Sequence, residues 1–262
     1  MEFYRYTPGT VPVIVSIPHT GTFVPAAILD RFTTKAKPLP DTDWHVEKLY
    51  GFARELGVHI VAATHSRYVI DLNRGTDNAS LYPGQFTTGL CPTTLFDGSP
   101  LYLTGKEPTA EEISERTGIY WQPYHDKLSE LITTLKAKHG HVTVFDAHSI
   151  CSEVSTLFEG TLPDLNFGTA DGATMESELV ARLEIVAKAS GYSHVVNGRF
   201  KGGYITRHYG KPAENVNAIQ LELAQKNYMN ETAPYDYADA KAATLQKTLR
   251  SLLQALVEDA AR

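Results

Sequence analysis

His141-Val142-Thr143-Val144-Phe145-Asp146-Ala147-His148-Ser149 is the stretch on which the fold turns. Val142, Val144 and Phe145 form a β-branched and aromatic run, which predicts a buried strand of a parallel sheet rather than a surface element. Asp146 and His148 close the run. They fall where an open α/β sheet builds its site, just beyond the carboxyl end of a strand. Two other apolar runs end in the same way. Residues 11–17 lead into Pro18-His19-Thr20-Gly21, and residues 219–223 carry Glu222. The three are expected to converge.

Working outward, 262 residues can bury about three quarters of the surface that the unfolded chain exposes, so no covalent staple is needed. The apolar fraction of 42% and charged fraction of 21% are those of a soluble globular protein. A net charge of -6 with no Lys/Arg cluster excludes a nucleic-acid footprint, and an anionic substrate would need locally placed arginines. Cys91 and Cys151 are far apart without a CxxC pattern, which indicates neither a disulfide framework nor a cysteine zinc site. The N-terminal residues lack the pattern of a signal peptide, and no apolar run approaches the ~20 residues of a membrane span. The expected location is the cytoplasm, away from any membrane.

The remaining elements read as one domain over residues 1–262. Asp41 or Thr42 caps a helix with Val46, Leu49, Ala53 and Leu56 inward, stopped by Gly57. Residues 58–63 and 68–72 read as strands. Residues 75–105, rich in Gly, Pro, Thr and Asn, read as a wall or lid beside the site with short strands such as 100–103. Thr109 and Glu112 resemble a capping box for a mostly helical segment to residue 138. A loop over 163–172, a helix over 175–190 closed by Gly191, a strand over 194–196 and a helix over about 235–260 complete the chain.

The chemistry sits at the ends of these runs. His19 and His148, with carboxylates at Asp43 and Asp146, suit a divalent metal: imidazole and carboxylate ligands match zinc, and three protein ligands leave a position open. Singly, each histidine reads as a hydrogen-bonded core or loop residue; their pairing at strand ends favours the metal. Asp41 and Asp43 also read as helix N-terminal carboxylates. Glu222 shares a strand face with Gln220, either as a solvated face or as the group that takes a proton from the attacking water. Asn73-Arg74 is placed to clamp a carboxylate through the guanidinium fork, and Arg207, behind Gly202 and Gly203, is the other candidate.

The segments Ser16-Ile17-Pro18-His19-Thr20-Gly21, Asp41-Thr42-Asp43, Asp71-Leu72-Asn73-Arg74, Phe145-Asp146-Ala147-His148-Ser149, Gly203-Tyr204-Ile205-Thr206-Arg207 and Leu221-Glu222 together resemble the N-formylglutamate amidohydrolase family. Each motif is short; their ordered combination is specific and spans residues 16–223. The resemblance implies the fold of zinc carboxypeptidases and aspartoacylase: a mixed, mostly parallel sheet flanked by helices, a zinc-activated water and a glutamate base. The Asp71-Leu72-Asn73-Arg74 string is similar to the one aspartoacylase-like enzymes use for a substrate carboxylate. One departure matters. Carboxypeptidases and aspartoacylase pair two ligands as His-x-x-Glu, whereas Thr22 stands three residues after His19. Asp43 is therefore expected as the second ligand in preference to Asp41, His45 or Asp146, with Asp146 orienting a ligand from behind.

The expected activity is hydrolysis of N-formyl-L-glutamate to formate and L-glutamate, as in histidine degradation. His19, Asp43 and His148 would hold zinc (manganese or cobalt also fit such ligands), and Glu222 would be general base. Arg74 and Arg207 would hold the two carboxylates of this small anionic substrate, with Asn73 assisting and Gly203 allowing closure. Two alternatives stand beside it: the same chemistry on another N-acyl amino acid or small peptide, or a noncatalytic binding protein with structural histidines. A serine hydrolase lacks support, since no Gly-x-Ser-x-Gly elbow occurs.

Overall fold

In the computed structural model, residues 2–79, 84 and 87–260 are described. Among them seven strands form one mixed sheet: β1 (Tyr4–Thr7), β2 (Val13–Ile17), β3 (His59–Ala63), β4 (Val142–Ile150), β5 (Leu165–Gly168), β6 (His194–Val196) and β7 (Val216–Ala224). Their order is β1-β3-β2-β4-β7-β5-β6. The β3-β2-β4-β7 centre is parallel, while β1 on β3 and β5 on β7 are antiparallel.

Alternation along the strands sends side chains to two helix-covered faces. Val13, Val15, Ile17, Phe145, Ile219, Leu221 and Leu223 join one buried cluster with α2 (Val46–Leu49), which follows the short α1 (Ala26–Leu29), and with α5 (Ser177–Ser190) and α7 (Asp239–Asp259). Ile14, Val61, Val142, Val144, Val216 and Ala218 join the other, with α4 (Gln122–His139) and α6 (Tyr204–Tyr209). On this second face the strands turn polar toward their carboxyl ends. Val142 and Val144 give way to Asp146 and His148, Ala218 to Gln220 and Glu222, and the register sets His148 opposite Glu222 and Asp146 opposite Gln220. The sheet thus delivers the chemistry to one edge.

Several local expectations change. The helix expected from Asp41 to Leu56 is only α2 followed by a 3-10 stretch, Gly51–Leu56. Residues 68–72 are not a strand: they form a buried turn, with Val69 N bonded to Ser66 O. The 163–172 loop contains β5, and 100–103 contributes isolated bridges rather than a strand. The glycine-rich segment before Arg207 runs into α6. Within the 75–105 wall, residues 80–83 and 85–86 lie outside the described residues.

The helical segment after Thr109 is present. Thr109 caps α3 (Ala110–Arg116) by accepting from Glu112 N, and a π-helical turn, Thr117–Trp121, joins α3 to α4. Such turns insert a residue into a helix. This one sets Trp121 to donate from Nε1 to Arg74 O at 2.9 Å, and His125 Nε2 lies 2.8 Å from Leu72 O. Among the described residues no helix is long and apolar enough to cross a membrane.

Candidate active site

His19 follows β2 and accepts Asp43 N through its own carbonyl at 3.1 Å, which ties the two residues together. His148 stands in β4. One ligand atom from each of His19, Asp43 and His148 lies within 4.8 Å of the others, and all three residues are buried. The alternatives lie elsewhere. Asp41 Oδ2 accepts from Phe96 N and lines a neighbouring cavity of about 350 Å³, and His45 Nε2 lies 2.7 Å from Tyr235 O.

The far nitrogen of each ring meets a carboxylate. His19 Nε2 lies 2.7 Å from Asp71 Oδ1, and His148 Nε2 lies 3.0 Å from Asp146 Oδ2. In a metal-bound histidine, a carboxylate on one nitrogen holds that N–H and leaves the lone pair of the other for the ion. Among the described residues His19 Nδ1 is buried with no hydrogen-bond partner, 3.8 Å from Asp43 Oδ2, and His148 Nδ1 lies 3.1 Å from the same oxygen. An orphaned buried nitrogen, a second inward nitrogen and a carboxylate are a donor set for a divalent cation. The residues fit a metal.

Burial is the largest single influence on these groups, and at some of them neighbouring charges together outweigh it. It pushes the His19 pKa down, Arg67 adds to that, and nearby Asp71 and Asp43 do not overcome them. For His148 burial acts the same way, but Asp146 and Asp43 outweigh it and hold its pKa well above the usual value. Asp71 is held well below the carboxylate range despite burial, first by the charges of His19, Arg67 and Arg74 and then by its hydrogen bond with His19; Arg67 Nη2 and Asn73 N each donate to it at 2.8 Å. Glu222 is pushed up to about 8, first by burial and then by Asp43, with His148 opposing.

A cavity at these strand ends is lined by His19, His148, Glu222 and Gln220, by Asn73, Arg74 and Gly203, and by Arg67 and Arg199. Thr87, Thr88 and Phe96 also line it, so part of the 75–105 segment is a wall of the site. Gln220 Nε2 donates to Glu222 Oε2 at 3.2 Å and its Oε1 accepts from Gly203 N at 2.7 Å. Asn73 already has protein partners at both ends of its amide, donating to Asp146 Oδ2 at 3.2 Å and accepting from Ile205 N at 2.8 Å. Arg207 is not among the lining residues; its Nε donates to Gly202 O at 2.9 Å. Sequence reasoning missed Arg67, Arg199 and Gln220. Arg67 had one signal, its spacing four residues before Asp71 in an otherwise apolar run.

Fold and site define the class: a mixed-sheet α/β protein that gathers metal-competent histidines and a buried glutamate at its strand ends. The sequence model for N-formylglutamate amidohydrolase matches residues 11–229, and the chain belongs to that family. An N-formylglutamate deformylase of Pseudomonas putida is 49% identical over 250 residues, covering 95% of this chain and 93% of that protein. One of Pseudomonas aeruginosa is 50% identical over 257 residues, covering 98% and 96%. The crystal structure of N-formylglutamate amidohydrolase from Ralstonia eutropha JMP134 superposes with a TM-score of 0.85 at 26% identity, covering 99% of each chain.

Proposed function

We propose that this chain hydrolyses N-formyl-L-glutamate to formate and L-glutamate, in the cytoplasm and as a step of histidine breakdown. The observation that carries the activity is near 50% identity, over almost the whole of each chain, to two N-formylglutamate deformylases. The site supports it by setting a metal-competent cluster, a buried carboxyl group and several guanidinium groups around one cavity.

His19 Nδ1, His148 Nδ1 and Asp43 would hold the ion, zinc by the chemistry of the donors, with manganese and cobalt also accommodated. When bound it would polarise the formyl oxygen, acidify the attacking water toward a pKa of ~7 and favour the ionised form of Glu222. Glu222 takes a proton from the water as its oxygen bonds to the formyl carbon. It then passes that proton to the departing nitrogen as the C–N bond breaks. Gln220 holds the Glu222 carboxyl group through the 3.2 Å hydrogen bond. Asp71 and Asp146 orient the two imidazoles, and Arg74 binds a substrate carboxylate.

Formate release from N-formyl-L-glutamate, with N-acetyl-L-aspartate and N-formyl-L-methionine as comparators, before and after chelation and zinc return, tests the reading. Preferential, zinc-restored turnover of formylglutamate is expected, and preference for a comparator refutes the substrate. Glu222→Gln should retain the metal and lose at least about 100-fold in kcat; a variant of full activity would remove Glu222 from proton transfer.

A further inference from the structure

Among the described residues three arginines line the cavity at the strand ends, and they are not alike. Arg67 is held between two buried carboxylates, with Nη2 2.8 Å from Asp71 Oδ2 and Nη1 3.6 Å from Asp43 Oδ1. Arg74 and Arg199 are each steered through Nε by a main-chain carbonyl, Thr88 O at 3.0 Å and Leu157 O at 2.6 Å. A carbonyl on Nε sets the plane of the guanidinium. Thr88 and Leu157 line the same cavity, so the wall itself aims both groups.

We propose that Arg199 is the specificity residue that takes the side-chain carboxylate of the substrate, while Arg74 takes the α-carboxylate. The assignment rests on the activity proposed above. N-formylglutamate carries two carboxylates, one beside the amide and one beyond two methylenes, and each matches a guanidinium fork. The surroundings of the two arginines differ in the way that substrate requires. Arg74 lies among Asn73, Thr87 and Thr88, a polar setting suited to the amide end. Arg199 lies with Leu157 and Phe200, its guanidinium carbon 5.4 Å from the Phe200 ring centre. That apolar floor suits the two methylenes, and an aromatic face favours the cation above it. Arg199 precedes the Gly202-Gly203 pair whereas Arg207 follows it, and of the two only Arg199 is among the residues that line the cavity.

The test compares kcat/KM for N-formyl-L-glutamate with that for N-formyl-L-glutamine, its neutral isostere, in wild type, Arg199→Met and Arg199→Lys. A half-buried guanidinium fork aimed at a carboxylate discriminates against a substrate that lacks the matching charge. Arg199→Met should therefore lose about 100-fold or more on formylglutamate and less than about fivefold on formylglutamine. Arg199→Lys keeps the charge but not the fork, so it should recover part of the preference. Equal losses on both substrates would mark a structural role and overturn the assignment. So would a selective loss in Arg207→Met that Arg199→Met and Arg199→Lys do not show. A wild-type preference for formylglutamine would refute the functional reading itself before any variant is made, and the assignment with it.

Discussion

Replacing Gly203 with alanine probes the packing that fixes Asn73. The backbone itself accepts the change, since φ is -85° and ψ -164° at Gly203. The space does not. A Cβ there would lie 2.3 Å from Asn73 Nδ2, 2.5 Å from its Cγ and 2.6 Å from its Oδ1. Ordinary contact begins at 3.4 Å, so the amide must retreat by about 1 Å. That retreat pulls Oδ1 from Ile205 N and Nδ2 from Asp146, hydrogen bonds of 2.8 and 3.2 Å in a buried setting. Leaving such groups unsatisfied costs about 1–3 kcal/mol each, so Gly203→Ala should destabilise by roughly 2–6 kcal/mol. Misplacement on this scale beside reacting groups costs about 100-fold in rate. Urea unfolding followed by circular dichroism and kcat/KM for N-formyl-L-glutamate read the two effects. Gly118→Ala is the control, because a Cβ there meets nothing within 4 Å. If Gly203→Ala stays within 0.5 kcal/mol and twofold of wild type (the latter about 0.4 kcal/mol), Asn73 is not held as described.

Removing the Asp71 carboxylate as Asp71→Ala leaves Arg67 and His19 buried without their shared partner, and should cost about 3–5 kcal/mol in urea unfolding; a loss under 1 kcal/mol refutes the network. His125 gives a pH signature. Burial pushes its pKa down to about 3, against 6.5 in the unfolded chain, so between those values the native state holds fewer protons and its stability rises with pH. The penalty is absent above pH 6.5 and grows as pH falls, reaching on the order of 2–3 kcal/mol at pH 4.5. His125→Gln should therefore be less stable than wild type at pH 7, and the gap should narrow by about that amount at pH 4.5. A gap that stays constant refutes the assignment.

The parallel centre of the sheet was legible because β2, β4 and β7 carry apolar runs buried on both faces. The polar ends of those strands pointed to His19, His148 and Glu222, which the fold brings to one cavity. What stayed hidden depends on tertiary contact. β5 is four residues long and exists by pairing with β7, so nothing in its own sequence distinguishes it from a loop. Residues 68–72 carry a strand's apolar character but are buried as a turn, which brings Arg67 and Asp71 back to the metal-competent cluster. A buried arginine is invisible in a sequence, because only its partners justify it. Arg199 stayed hidden likewise: it and Arg207 flank the same glycine pair, and only the fold shows that Arg199 lines the cavity and Arg207 does not.

The π turn at Thr117–Trp121 works as a phase shifter between two docking patterns on one helical rod. Upstream, Arg116 Nη1 donates to Val69 O at 2.9 Å; downstream, Trp121 and His125 hold the carbonyls of Arg74 and Leu72. An uninterrupted α-helix advances about 100° per residue, so deleting Gly118 would rotate one half by that angle against the other. Either Arg116 would leave Val69 or the indole would leave Arg74. The extra residue lets one rod grip both ends of the 69–74 segment, and the rotational offset between those grips is set by chain length rather than by side-chain chemistry.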